Sequence, residues 1–164
     1  QYAIHKNVGL WLWFPAKQFD AHFNALLPKL RAWGIKGLRI EGLQRDDQRA
    51  VQVYWHIAET CALNKLMVDF RNTHKPSGLQ RTWPNVLGYD AVYGLEHART
   101  DAKKRIDPEH DLVLPFVRQV AGGMGYAPGA MDNRGPDDWA PSPNRPASLG
   151  TRCHELAKYV VFES

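Results

Sequence analysis

A chain of 164 residues with 44% hydrophobic and 23% charged side chains has the make-up of an ordinary globular protein with a sizeable core. Its net charge of +4 is mild, and the only basic run is Lys103-Lys104-Arg105, too short for a nucleic-acid surface. No apolar run is long enough to span a membrane, and no signal-peptide pattern opens the chain.

Val8–Trp13 reads as the first strand. Phe19, Phe23, Leu26, Leu30 and Trp33 then recur at spacings of four and three, the stripe of a core-facing helix. Pro28 falls inside that stripe and is expected to kink or split the helix, and Gly34 ends it. Gly37–Glu41 is the second strand. Asp46 or Asp47 caps the next helix, whose buried face carries Val51, Tyr54, Ala58 and Cys61. A buried thiol is the expectation for Cys61, and its distance from Cys153 asks for neither a metal nor a disulfide. Leu66–Phe70 is the third strand. The stretch from Arg71 to Gly88, rich in Pro, Gly, Thr and Asn, reads as a long functional loop. Val92–Glu96 is expected as the fourth strand and Leu112–Phe116 as the fifth, followed by a short helix over Val117–Ala121. Gly122 to Leu149 is irregular, a lid or rim loop. Thr151 to Glu163 is expected as a helix capped near Thr151, though Tyr159-Val-Val-Phe162 also suits a strand. The chain begins and stops within element-like segments rather than polar tails, so it reads as a fragment of something larger.

Strands alternating with helices predict an α/β fold with a parallel sheet. An open sheet that binds a nucleotide carries a glycine-rich turn after its first strand, and here that turn is Trp13-Phe14-Pro15. Acids closing successive strands favour a closed barrel instead, of which this chain would make about half of the usual ~250 residues. Glu41, Asp69 and Glu96 are those acids, and a carboxylate at a buried strand end is costly unless something uses it. Glu41 and Glu96 projecting into one cleft would suit glycoside hydrolysis, one attacking or activating water and the other protonating the leaving oxygen. The competing reading is that each acid pairs with an arginine or caps a helix; Asp69, two residues before Arg71, is open to that reading in particular. Trp11 and Trp13 share one side of their strand, where they would stack on a sugar or fill a core. The seven histidines show no transition-metal spacing, while Asp90 and Glu96 together would suit calcium, which takes oxygen ligands. No serine, threonine or cysteine sits in a triad-like arrangement.

Several stretches are more specific. Leu66 to Gly88, Arg45-Asp-Asp-Gln48, Gly94-Leu-Glu-His97, Leu114-Pro-Phe-Val-Arg118, Tyr126-Ala-Pro-Gly-Ala-Met131 and Gly150-Thr-Arg-Cys-His-Glu-Leu-Ala157 resemble, in order, the catalytic barrel of glycoside hydrolase family ninety-seven. The resemblance implies part of a (β/α)8 TIM barrel, about strands 3 to 7, flanked in the same polypeptide by β-sandwich domains. It implies a calcium-dependent exo-acting α-glycosidase of periplasmic or secreted location. Glu41 stands at the nucleophile position of the retaining, α-galactosidase-like branch, and Glu96 matches the general acid. The inverting branch carries a base glutamate where this chain has Asn72. Asp90 matches a metal ligand, with Glu96 as a second, and Arg39, Arg71 and Trp13 are the expected substrate contacts. Departures cluster around the pocket. Glu41 replaces the usual Asp, Arg71 a His, Arg39 a Lys, Gly125 an Asp, and Asp90 a Glu. A catalytically impaired carbohydrate-binding homologue is therefore the competing reading, and an inverting α-glucosidase a further one.

Overall fold

The computed structural model describes residues 2–19, 21–43, 45–90 and 92–162, in two compact units, residues 1–91 and 92–164. Glu163 and Ser164, at the end of the expected last helix, lie outside the described residues.

In chain order the first unit contains α1 (Tyr2–His5), β1 (Leu10–Pro15), α2 (Ala21–Ala32), β2 (Ile35–Glu41), α3 (Gln48–Leu63), β3 (Met67–Arg71), α4 (Leu79–Thr82) and β4 (Val86–Asp90). The four strands form one parallel sheet in the order β1-β2-β3-β4. The expected α/β class with a parallel sheet is therefore observed. Register decides what each face does, because neighbouring strands carry in-register side chains to the same side. Phe14, Ile40, Phe70 and Tyr89 lie side by side, and so do Leu12, Leu38, Val68 and Val86. Together with Phe23, Leu27 and Leu30 of α2 and Tyr54, Ile57, Ala58 and Cys61 of α3, most of them form the apolar core. The opposite face carries Trp13, Arg39 and Asp69 in one row and Glu41, Arg71 and Asp90 in the row beyond it. One face of the sheet is thus apolar and packed, and the other is charged. On that second face Trp11 lies across Gly37, where an added Cβ would come within 2.7 Å of the indole, so glycine is needed there.

Asp47, of the two candidates, caps α3, its carboxylate accepting from Ala50 N at 3.0 Å. Cys61 is fully buried, and burial pushes its thiol up to about 12, as expected of an inert core cysteine. Pro28 does not split α2, which runs unbroken through it. Proline removes one intrahelical bond, but Leu27 and Leu30 beside it are packed into the core, and packing is what holds most protein helices. Trp33 lies past the end of α2 and is 63% exposed, so it does not belong to the buried stripe. The fourth strand is Val86–Asp90 rather than Val92–Glu96. The span from Arg71 to Gly88 accordingly holds α4 and the start of β4 as well as loop.

The second unit contains α5 (Leu95–Ala98), α6 (Pro108–Arg118), the two-residue strands β5 (Asn133–Arg134) and β6 (Ser148–Leu149), and α7 (Arg152–Val161). Leu112–Phe116, expected as a strand, lies inside α6, and Val117–Ala121 is not a separate helix. The physical reason precedes the apolar run. Asp107 caps the helix by accepting from His110 N, Pro108 fits its first turn, and Glu109 and Asp111 complement its dipole. Gly122 to Leu149 is irregular apart from the β5–β6 pair, as expected. Thr151 caps α7 through a bond from His154 N, which settles that segment as a helix. Its inner face is charged. Glu155 and Lys158 are buried while Leu156, Tyr159 and Val160 are exposed.

Candidate active site

Strand ends position the residues of the first unit. Glu41 is the last residue of β2, and both its oxygens are held. Trp13 Nε1, from β1, donates to Oε2 at 2.6 Å, and Asn72 Nδ2, just past β3, donates to Oε1. Asn72 has a φ of +49°, a left-handed conformation that asparagine tolerates better than most residues. Its backbone N–H donates to Asp90 O at 2.6 Å, which ties the turn to the end of β4. The rotamer of Glu41 is therefore set by two donors from two neighbouring strand ends.

Below Glu41, the Arg39 guanidinium bridges Asp69, at 3.2 Å from Nε, and Asp90, at 3.1 Å from Nη2. Arg71 Nε also lies 3.4 Å from Asp90 Oδ2. Burial raises the Asp69 carboxyl above its ordinary value, opposed by the charges of Arg39 and Arg71. Trp13, Arg39, Glu41, Arg71 and Asp90 are thus brought together at one end of the sheet. Three carboxylates facing two guanidiniums leave that face with a net negative charge.

Glu96 lies in the second unit, in the first turn of α5 and not at a strand end. Its Oε1 is 3.8 Å from His97 Nδ1. Gly94 makes room for it: an added Cβ would stand 2.7 Å from Glu96 Oε2 and 2.9 Å from the Ala127 carbonyl. Leu95 N donates to that same carbonyl at 3.3 Å.

Calcium takes six to eight oxygen ligands. Among the described residues no group of three or more His, Cys, Asp or Glu side chains is placed to hold a metal ion. Asp90 Oδ2 is moreover shared by two guanidiniums. The described side chains do not by themselves fit a calcium ion.

Two features escaped the sequence reading. Asn72 was noticed only for the glutamate it replaces, whereas it orients Glu41. An asparagine immediately after a buried strand, where left-handed turns favour it, was the available signal. The buried cluster of Asp111, His154, Glu155 and Lys158 in the second unit was not foreseen at all.

The family model for Glycoside hydrolase 97 matches residues 1–92. A retaining alpha-galactosidase of Bacteroides thetaiotaomicron is 41% identical over 163 residues, covering 99% of this chain and 25% of that protein. A probable retaining alpha-galactosidase of Streptomyces bingchenggensis is 32% identical over 166 residues, covering 99% of this chain and 24% of its own length. The chain therefore spans about a quarter of these curated relatives. Among solved structures, a beta-arabinopyranosidase superposes with a TM-score of 0.79 at 22% identity, over 99% of this chain and 28% of that one. A family 97 glycoside hydrolase from Pseudoalteromonas sp. strain K8, in complex with panose, gives 0.68 at 17% identity, over 98% and 30%. These likenesses in structure show the shared fold. The family match and the curated relatives place the chain among the glycoside hydrolases. Within them it belongs to the family Glycoside hydrolase 97.

Proposed function

We propose that the whole protein is a retaining α-glycoside hydrolase acting on α-galactosides, to which this chain contributes part of a single (β/α)8 barrel. The observation that carries the reading is Glu41, a carboxylate at a strand end with one donor on each oxygen. Such a group is fixed in direction and kept as an acceptor, which is what a nucleophile needs. Glu41 attacks the anomeric carbon while Glu96 gives its proton to the departing oxygen, leaving a covalent glycosyl-enzyme. Glu96 then takes a proton from water, the water oxygen attacks the anomeric carbon, and Glu41 leaves, so the sugar keeps its configuration. Asp69 and Asp90 beside Glu41 are balanced by Arg39 and Arg71, so the negative charge that favours the cationic, oxocarbenium-like transition states is that of Glu41 itself.

Asn72 supports retention over inversion. An amide donating to Glu41 cannot take a proton from water, so this position holds no general base. Trp13, Arg39 and Arg71 are proposed as substrate contacts, Trp13 offering an indole that is 59% exposed. The relatives' name, retaining alpha-galactosidase, supports the choice of sugar. Calcium dependence is proposed for the whole polypeptide alone, with Asp90 and Glu96 as the oxygen donors this chain would give and the remainder from elsewhere; no step here runs through the ion.

Full-length protein assayed with aryl α-galactosides and aryl α-glucosides tests the reading. The galactoside is expected to be hydrolysed faster, with activity lost on chelation and restored by calcium. Absence of turnover would favour a carbohydrate-binding homologue, preference for the glucoside would refute the sugar assignment, and indifference to chelation would remove calcium alone.

A further inference from the structure

The second unit spends buried charge on a segment with no obvious need of it. Asp111, Glu155 and Lys158 are 5%, 0% and 6% exposed. Lys158 Nζ lies 2.6 Å from Asp111 Oδ2 and 3.0 Å from Glu155 Oε1, and His154 Nε2 is 2.9 Å from the same Asp111 oxygen. Two carboxylates and an ammonium cost several kcal/mol each to bury, and an apolar trio of like volume commonly does as well for stability. The groups they hold are informative. Tyr126 donates its hydroxyl to Asp111 Oδ1. Gly129 packs so closely on the far side that an added Cβ would lie within 2.2 Å of both Glu155 Oε2 and Ser148 Oγ. Ser148 Oγ accepts from Ala130 N at 2.6 Å. The segment 126–130 is thereby pinned at both ends. Between the pins lies Ala127, whose carbonyl receives Leu95 N and abuts Gly94, the two residues that precede Glu96.

We propose that the Asp111–Lys158–Glu155 cluster and Tyr126 form a positioning device for Glu96, holding the 126–130 segment as the rigid seat against which the start of α5, and with it the proton donor, is set. The inference rests on the reading of Glu96 as general acid. Tyr126 suits the task of a permanent donor, since burial, with Asp111 after it, pushes its phenol far above the ordinary range. Gly94 has the complementary role, because any side chain there would push directly on the Glu96 carboxylate.

The test uses full-length protein and kcat/KM for aryl α-galactosides whose leaving groups span a wide range of basicity, since kcat/KM reports the step that needs the acid. Tyr126→Phe removes one oxygen and keeps the ring that packs on Phe162 at 4.7 Å between centroids. It is expected to lose about tenfold or more on the most basic leaving groups and little on the most acidic. Glu96→Gln, run beside it, should show the same dependence more steeply. A Tyr126→Phe profile parallel to wild type, whether lowered uniformly or unchanged, overturns the positioning role, because lost stability slows every substrate alike. If Glu96→Gln shows no leaving-group dependence, the general-acid assignment itself fails and the positioning role with it. Should Tyr126→Phe not fold, Ser148→Ala, which frees the other end of the 126–130 segment, carries the same comparison, with the same selective loss expected.

Discussion

Glu41 owes its direction to side chains from β1 and from the turn after β3, and that arrangement bears on its extra methylene. Trp13 and Asn72 meet the two carboxylate oxygens where the longer side chain places them. Aspartate at 41 would draw those oxygens back by about one carbon–carbon bond and lose both partners. Glu41→Asp in the full-length protein is therefore expected to lower kcat on aryl α-galactosides by about 100-fold, the usual cost of an ångström of misplacement. Activity equal to or above that of the parent would mean that the pocket is still shaped for the shorter acid. The sequence made Glu41 legible as a strand-end acid and Asp90 as an oxygen donor for calcium, while Arg39 was marked only by the family resemblance. It did not make their pairing legible. Arg39 takes both Asp69 and Asp90, and Asp69 was expected beside Arg71, two residues along its own strand. Residues two apart share a face, but the register of the next strand decides which charge an arginine reaches.

At the scale of elements, periodicity located α2, α3 and α7 but misjudged α6. Leu112–Phe116 is a short apolar run of the kind that suits strand and helix equally, and the decision lay in its capping residues. In α7 the apolar residues Leu156, Tyr159 and Val160 are exposed, although charged side chains are rarely the buried ones. The second unit inverts that rule with Glu155 and Lys158, whose partner Asp111 comes from α6. Burial by itself would raise the Asp111 carboxyl, yet hydrogen bonds from Lys158, Tyr126 and His154 hold it below its ordinary value. Lys158→Met would leave Asp111 and Glu155 buried without their shared cation. It is expected to cost about 3–5 kcal/mol in the denaturant unfolding of the full-length protein. A loss under about 1 kcal/mol would show that the two carboxylates do not depend on it.

For the whole molecule, the two-faced sheet is what joins fold to function. Alternation in Gly37-Leu-Arg-Ile-Glu41 and Met67-Val-Asp-Phe-Arg71 separates apolar from charged side chains, while the succession of strand and helix made the parallel α/β class readable. Closure into a barrel was not, because it depends on strands that the four described here do not include. The same limit applies to chemistry. Glu41 and Glu96 belong to different units, so the joint action proposed for them concerns the whole protein, and this chain spans a quarter of its curated relatives. Stereochemistry tests that joint action most directly. Full-length protein is mixed with an aryl α-galactoside and the anomeric protons are followed by NMR from the first turnovers. Retention through Glu41 and Glu96 predicts that the α-anomer of free galactose appears first, and that the β-anomer follows only by mutarotation. The β-anomer appearing first would contradict a covalent step on Glu41.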